Sequence, residues 1–125
     1  MYFLATYAII EYLKGNPKFT QIIDTQKIVT SNFQLMELYY YGLKEFNEKI
    51  AETFYEGFSN YLISIPENSL KNAMKIRLEL QRKKINISYV DAIGYQYSID
   101  NDLKFVTGDI AFKNLDPKNI EYLGK

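Results

Sequence analysis

A chain of 125 residues, 47% of them hydrophobic, can bury one core, so we expect a single domain over residues 1–125. Its 15 basic and 15 acidic side chains cancel, which excludes a strong overall attraction to nucleic acid or membranes and requires a local patch for any polyanion binding. The absence of cysteine and histidine excludes disulfides, thiolate chemistry and histidine catalysis, leaving carboxylates, lysines and hydroxyls to carry any reaction.

The first part of the chain predicts a strand that leads directly into a helix. Residues 2–4 form a short apolar run typical of a buried strand. Residues 7–14 carry apolar side chains at helical spacing before the stop signal Gly15-Asn16-Pro17. This order is the first half of a βαβ unit.

A second predicted strand, residues 27–30, precedes a pair of helices. Ser31 and Gln34 match a capping box, so a helix should start there and continue through Glu37 to about residue 41. A second amphipathic helix should reach about Gly57 and pair with the first as a hairpin around Gly42. Its apolar stripe consists of Leu43, Phe46, Ile50, Phe54 and Phe58.

The rest of the chain continues the alternation of strands and helices. A third strand is predicted over residues 61–65, a helix from residue 70 to 83 or 84, and another helix starting at 88–91. A fourth strand is predicted over residues 103–106 and an edge strand over 120–123. The pattern favours an α/β fold with three layers, α/β/α, around a central parallel sheet.

Small and polar residues follow the first and fourth predicted strands. They are Ala5, Thr6, Thr107, Gly108 and Asp109. Because ligands of open α/β sheets bind outside the carboxyl ends of the strands, we expect these residues to line a site.

Two more carboxylates belong to this prediction. Glu37 shares a helical stripe with Phe33, Met36 and Tyr40, so it should point inward at the top of the sheet and need a partner there. Asp91 lies at a predicted helix start. Two carboxylates about 4 Å apart repel by roughly 4 kcal/mol at an effective dielectric near 20, unless a cation or a raised pKa relieves them.

Convergent acids without a neighbouring cation indicate a hard divalent metal, Mg²⁺ or Mn²⁺, and phosphodiester hydrolysis as its chemistry. The sequence offers no Gly-rich phosphate loop after a strand, and serine or cysteine nucleophiles would lack their histidine.

Four segments resemble the acidic motifs of PIN-domain nucleases, especially VapC-type toxins. They are the opening strand with Ala5-Thr6-Tyr7, residues 33–38 around Glu37, residues 87–92 around Asp91, and residues 105–109 ending in Asp109 and followed by Phe112. The resemblance spans nearly the whole chain.

The resemblance implies a parallel α/β sheet, a homodimer, cleavage of RNA with Mg²⁺ or Mn²⁺, and inhibition by an antitoxin protein. By position, Glu37, Asp91 and Asp109 would be the catalytic metal ligands, with Thr6 and Thr107 in support. Ala5 departs from the pattern, because the family has an aspartate there and a methyl group cannot bind a metal.

Two interpretations stay open. In the first, the chain is a metal-dependent ribonuclease of the VapC type whose first aspartate has been replaced, so that activity is nearly abolished while the fold is kept. In the second, it is a naturally degenerate PIN fold that binds nucleic acid or protein without catalysis.

Each candidate also has a purely structural reading. Asp91 could cap a helix, Glu37 could be satisfied by a Lys or Thr, and Thr107-Gly108-Asp109 could be an ordinary turn.

The basic and aromatic stretches carry two readings as well. Lys71, Lys75 and Arg82 can share one helical face and contact RNA, although a solvated face has the same pattern. The aromatic stripe of residues 46–58 and Tyr39-Tyr40-Tyr41 could form an antitoxin groove or base-stacking platform, or serve packing and dimerisation.

The N-terminus has no signal-peptide pattern, and no run approaches the roughly 18 apolar residues of a membrane span. We therefore expect a soluble cytoplasmic protein without a membrane partner.

Overall fold

The computed structural model describes residues 1–124, which form a four-stranded parallel sheet with helices on both faces. The strands are β1 (Tyr2–Leu4), β2 (Ile28–Val29), β3 (Lys104–Thr107) and β4 (Ile120–Tyr122), in the order β2-β1-β3-β4. The helices are α1 (Thr6–Leu13), α2 (Pro17–Thr25), α3 (Asn32–Glu45), α4 (Glu48–Phe58), α5 (Glu67–Arg82) and α6 (Tyr89–Asp100). Short 3₁₀ turns cover Ser59–Tyr61, Ile110–Phe112 and Pro117–Asn119. The predicted three-layer α/β/α fold is confirmed.

The strand register brings the ends of β1 and β3 side by side. Phe3 lies opposite Phe105 and Leu4 opposite Val106, and the Ala5 amide donates to the Val106 carbonyl at 3.1 Å. Because all the strand pairs are parallel, the residues that follow β1 and β3 lie at the same end of the sheet, beyond the carboxyl ends of the strands. The candidate site is at this end.

Alternating side chains of the sheet build two hydrophobic layers. Phe3 and Phe105 pack under α5 and α6, whereas Leu4 and Val106 pack under α1, α2 and α3. Successive residues of a strand point to opposite faces, so each short strand contributes to both layers.

Two glycines permit the closest helix contacts. A Cβ at Gly94 would lie 2.6 Å from the Phe105 ring and 2.7 Å from the Phe3 ring, so α6 can rest on the sheet only without a side chain there. A Cβ at Gly42 would lie 2.7 Å from the Ala51 Cα, which marks the crossing of α3 and α4.

The prediction for the helical hairpin was partly wrong. Gly42 is buried inside α3, which runs on to Glu45, and the turn falls at Phe46 and Asn47. The glycine serves close packing against α4 instead of breaking the helix, so the predicted apolar stripe belongs to two helices.

The third predicted strand was also wrong. Residues 61–65, all within the described part, contain no strand and make only one bridge, between Thr30 and Leu62. The Thr30 amide donates to Tyr61 and the Ile63 amide donates to Thr30, which ties an extended segment to the end of β2.

Helix α2 was not predicted. Pro17 was taken as a stop signal, but it is the first residue of α2, where its fixed φ and missing N–H cost nothing. The Asn16 side chain caps this helix by accepting from the Lys18 amide at 3.1 Å.

Candidate active site

Ala5 and Thr6 form the entry to α1 at the carboxyl end of β1. Ala5 is fully buried and is the N-cap of α1, where it offers no side-chain acceptor. Helices α2, α3, α4 and α6 all have a capping side chain, so alanine is an unusual choice at this position.

Thr6 holds Glu37 at the same end of the sheet. The buried Thr6 hydroxyl donates to Glu37 Oε1 at 2.6 Å, a short hydrogen bond to a carboxylate. This contact is the Thr partner expected for a purely structural Glu37, so the carboxylate has a hydrogen-bond donor without a metal, and it joins α1 to α3.

The predicted stripe around Glu37 was wrong in detail. Met36 and Tyr40 are 56% and 66% exposed. The buried positions of α3 are Gln34, Leu35, Leu38 and Gly42. Glu37 lies at the edge of this buried face and is half-buried.

Gln34 links the helix that carries Glu37 to the helix that carries Asp91. Its Nε2 donates to the Val90 carbonyl at 3.1 Å, and its Oε1 accepts from the Ser31 hydroxyl. Gln34 is fully buried, so these bonds fix α3 against the first turn of α6. From the sequence, Gln34 is predicted only as part of a capping box.

Asp91 lies in the first turn of α6, where the Ser88 hydroxyl accepts from its amide at 3.0 Å. Burial, together with the charges of Glu37 and Asp109, raises the pKa of the Asp91 carboxyl to about 7, although a hydrogen bond with Ser88 opposes the rise. The three predicted carboxylates therefore influence one another across three separate elements. Ser88 is the N-cap and Asp91 is the acidic residue of the first turn, so the structural role of Asp91 at the start of α6 stays open beside its predicted catalytic role.

Asp109 is positioned by the turn that follows β3. Its amide donates to the Thr107 hydroxyl at 3.1 Å, and its Oδ1 accepts from the Ala111 amide at 3.0 Å. Thr107 is fully buried, so it orients the turn from beneath. Asp109 is thus a turn residue and a neighbour of Asp91 at once.

The three carboxylates supply the type of ligand atom that a divalent cation binds, but they are not arranged as a complete metal site. Glu37, Asp91 and Asp109 offer only oxygen atoms, which Mg²⁺ and Mn²⁺ prefer. Within residues 1–124, however, no group of three or more Asp, Glu, His or Cys side chains is arranged to hold a metal ion. Ala5 contributes a methyl group where an aspartate is expected. The metal-ligand roles of the three acids stay predictions.

A groove beside Asp109 opens the site to solvent. It has a volume of about 460 Å³ and is lined by Tyr7, Gly108, Asp109, Ile110 and Tyr122. A Cβ at Gly108 would lie 2.3 Å from the Tyr7 ring, so the glycine allows that ring to form the wall.

The predicted basic residues lie on α5, a helix that carries none of the three carboxylates. Lys71, Lys75 and Arg82 are exposed along α5. Their contact with RNA stays a prediction.

The parallel sheet and the helices that cover it have the fold of solved VapC toxins, the PIN-domain fold. No protein-family model and no curated relative matches the sequence.

Solved structures share this fold over nearly the whole chain. A chain of the DNA-bound VapBC from Salmonella typhimurium is 23% identical with a TM-score of 0.76, covering 97% of this chain and 96% of that one. VapBC2 from Rickettsia felis, bound to a promoter DNA fragment, is 21% identical with a TM-score of 0.74, covering 97% of both chains. VapC20 of Mycobacterium tuberculosis, a sarcin–ricin loop cleaving toxin, is 14% identical with a TM-score of 0.71, covering 94% of this chain and 98% of that one.

These similarities confirm the expected fold. In the part of the chain that the structure describes, no helix has the length and apolar character needed to cross a membrane.

Proposed function

We propose that the chain is a PIN-fold ribonuclease of the VapC type with Glu37, Asp91 and Asp109 as its catalytic carboxylates and Ala5 in place of a fourth. The observation that carries the proposal is the raised pKa of Asp91, caused by burial and by the charges of Glu37 and Asp109. Three acids from distant parts of the sequence crowd together at the edge where α/β folds bind ligands. The shared fold with a toxin that cleaves the sarcin–ricin loop gives further support.

Glu37, Asp91 and Asp109 would hold Mg²⁺ or Mn²⁺, which supplies charge neutralisation at a scissile phosphate and a more acidic bound water. Neighbouring hydroxyl groups position two of these carboxylates. Thr6 holds Glu37, and the Thr107 hydroxyl anchors the turn of Asp109. The raised pKa of Asp91 means that its carboxyl would release a proton on binding a cation near neutral pH.

Ala5 removes one carboxylate from this arrangement. Losing a partner that merely orients a ligand typically costs 10- to 100-fold in metal affinity or activity, and a missing ligand costs more. The chain as it stands therefore binds divalent cations weakly and cleaves RNA slowly or not at all, while its fold is intact.

Restoring the carboxylate tests the proposal. Ala5→Asp should cleave a structured RNA with Mn²⁺ and lose activity in EDTA, whereas the unchanged chain should be nearly inactive in both. Ala5→Asn is the matched control, since it has the same shape without the charge and should stay inactive.

A second candidate is a non-catalytic module that binds RNA or protein. It is favoured by the buried methyl of Ala5 and by the lack of a ready metal site among residues 1–124. Binding of RNA without cleavage by either the chain or Ala5→Asp would establish this function and end the nuclease proposal.

We infer an antitoxin partner and a homodimer in the cytoplasm, where RNA is available. Several structures that share the fold are VapBC complexes, and α3 exposes large apolar side chains at Met36, Tyr40 and Leu43. Light scattering of the purified chain, alone and co-expressed with the product of a neighbouring gene, tests both inferences. A monomer in both samples would contradict them.

A further inference from the structure

We propose that Arg77 and Tyr89 form a nucleotide-binding platform where α5 meets the start of α6, taking one nucleotide of single-stranded RNA. Arg77 would bind its phosphate and the open face of Tyr89 would stack on its base. This inference rests on the proposed ribonuclease function and concerns residues outside the carboxylate set.

Two contacts hold the Arg77 guanidinium in place. Its Cζ lies 4.0 Å from the centroid of the Tyr89 ring, a cation–π contact between α5 and the first residue of α6. Its Nε donates to the Ile87 carbonyl at 3.0 Å. The side chain is half-buried, so the cation is fixed before any ligand arrives.

The fixed cation has no counterion. The ion pairs formed within residues 1–124 are Lys14 with Glu11 and Lys83 with Glu79, and neither includes Arg77. Nε is used in the bond to Ile87, which leaves the N–H groups of the two Nη atoms for an acceptor. A planar donor group held in this way suits a phosphate.

Tyr89 supplies the second half of the platform. Its side chain is 60% exposed, although one face of its ring lies against Arg77. An aromatic ring with an open face stacks on any base, because every base has a π-face. Tyr89 is exposed and lies two residues before the half-buried Asp91, so the two side chains leave the first turn of α6 on different sides.

Arg77 lies on a different side of α5 from the predicted basic residues and is held by contacts that they lack. Lys71, Lys75 and Arg82 each lie two positions from a buried residue of α5, Ala73 or Leu80, which places them on the opposite side of the helix. They are exposed, and nothing comparable fixes their orientation.

Fluorescence anisotropy with a short labelled single-stranded RNA tests the platform on the chain as it stands. EDTA is included, so binding is measured without cleavage. Tyr89→Leu should raise Kd by about tenfold, the effect of losing one stacked base, and Arg77→Gln should do the same because it removes the fixed phosphate donor and the support of the ring. Tyr89→Phe should bind like the unchanged chain, and Arg77→Lys should not restore affinity because an ammonium lacks the planar fork.

Arg82→Gln is the matched control, because it removes the same charge from the same helix without disturbing the stack. It should change Kd by less than about threefold, the effect of losing one exposed phosphate contact. Unchanged melting temperatures would show that the losses are not due to unfolding.

The failures of the two proposals are distinguishable. If Arg77→Gln weakens binding no more than Arg82→Gln, or if the chain binds no RNA at all, the platform is overturned. Cleavage by Ala5→Asp then decides separately whether the ribonuclease proposal stands.

Discussion

At the scale of single residues, the Asp91 carboxyl reports the electrostatics of the site. Its ordinary pKa is 3.8, and in the folded chain the pKa is about 7. Between these values the folded state binds more protons than the unfolded state, so stability falls as pH rises through this window and levels off above it. The full rise corresponds to about 4 kcal/mol, and partial exposure to solvent reduces this to about 2 kcal/mol.

We therefore predict that the metal-free chain loses about 2 kcal/mol of unfolding free energy between about pH 4 and about pH 8 through Asp91. Asp91→Asn should remove most of this loss, because an amide does not titrate. Urea denaturation of both proteins across the range measures it. Parallel curves for the two proteins would contradict the raised pKa of Asp91, which burial and the charges of Glu37 and Asp109 cause together.

Ala5 gives the second prediction at this scale. An Asn at the N-cap of α1 should raise the unfolding free energy by about 1 kcal/mol. Ala5→Asp can cap equally well but adds a charge beside Glu37, Asp91 and Asp109, so without metal it should be less stable than Ala5→Asn by about 1 kcal/mol.

Denaturation of both variants in EDTA at about pH 8 and low salt tests this, and salt should shrink the difference. An aspartate variant as stable as the asparagine variant would place position 5 away from the acids.

At the scale of elements, the close packing of α6 on the sheet sets the position of Asp91. Gly94→Ala should cost about 2 kcal/mol or more, because its Cβ would lie within 2.7 Å of the Phe105 and Phe3 rings, which are fully buried and have no room to move.

Gly57→Ala on α4 is the control. A Cβ there meets nothing within 4 Å, so the variant should gain about 0.5 kcal/mol from helix propensity. Thermal denaturation of both variants is the measurement. Equal effects of the two substitutions would contradict this account of how α6 sits.

An element could be predicted from the sequence when a short stretch of residues carried its whole pattern. β1, β3 and α5 are marked by apolar runs or helical spacing and were predicted within a few residues. Gly42 and Pro17 misled the prediction, since each has two structural uses and only the packed partner decides between them. Residues 61–65 had the composition of a strand, but the two-residue β2 offers them only a bridge at Thr30.

At the scale of the whole molecule, the site consists of contacts between residues far apart in sequence. The order and spacing of Glu37, Asp91 and Asp109 along predicted elements were enough to nominate them. The bond from Thr6 to Glu37, the bridge from Gln34 to Val90 and the stack of Arg77 on Tyr89 could not be predicted. Each depends on how two helices or a helix and a loop meet, and no local pattern encodes that.

The most direct test of the account measures RNA cleavage with Mn²⁺ by Ala5→Asp and by the same variant carrying Glu37→Gln, Asp91→Asn or Asp109→Asn. If these positions form one site, Ala5→Asp cleaves and each second substitution lowers its rate by about 100-fold or more. An Ala5→Asp variant that cleaves no RNA, or that keeps its rate when one of these carboxylates is removed, would contradict the account.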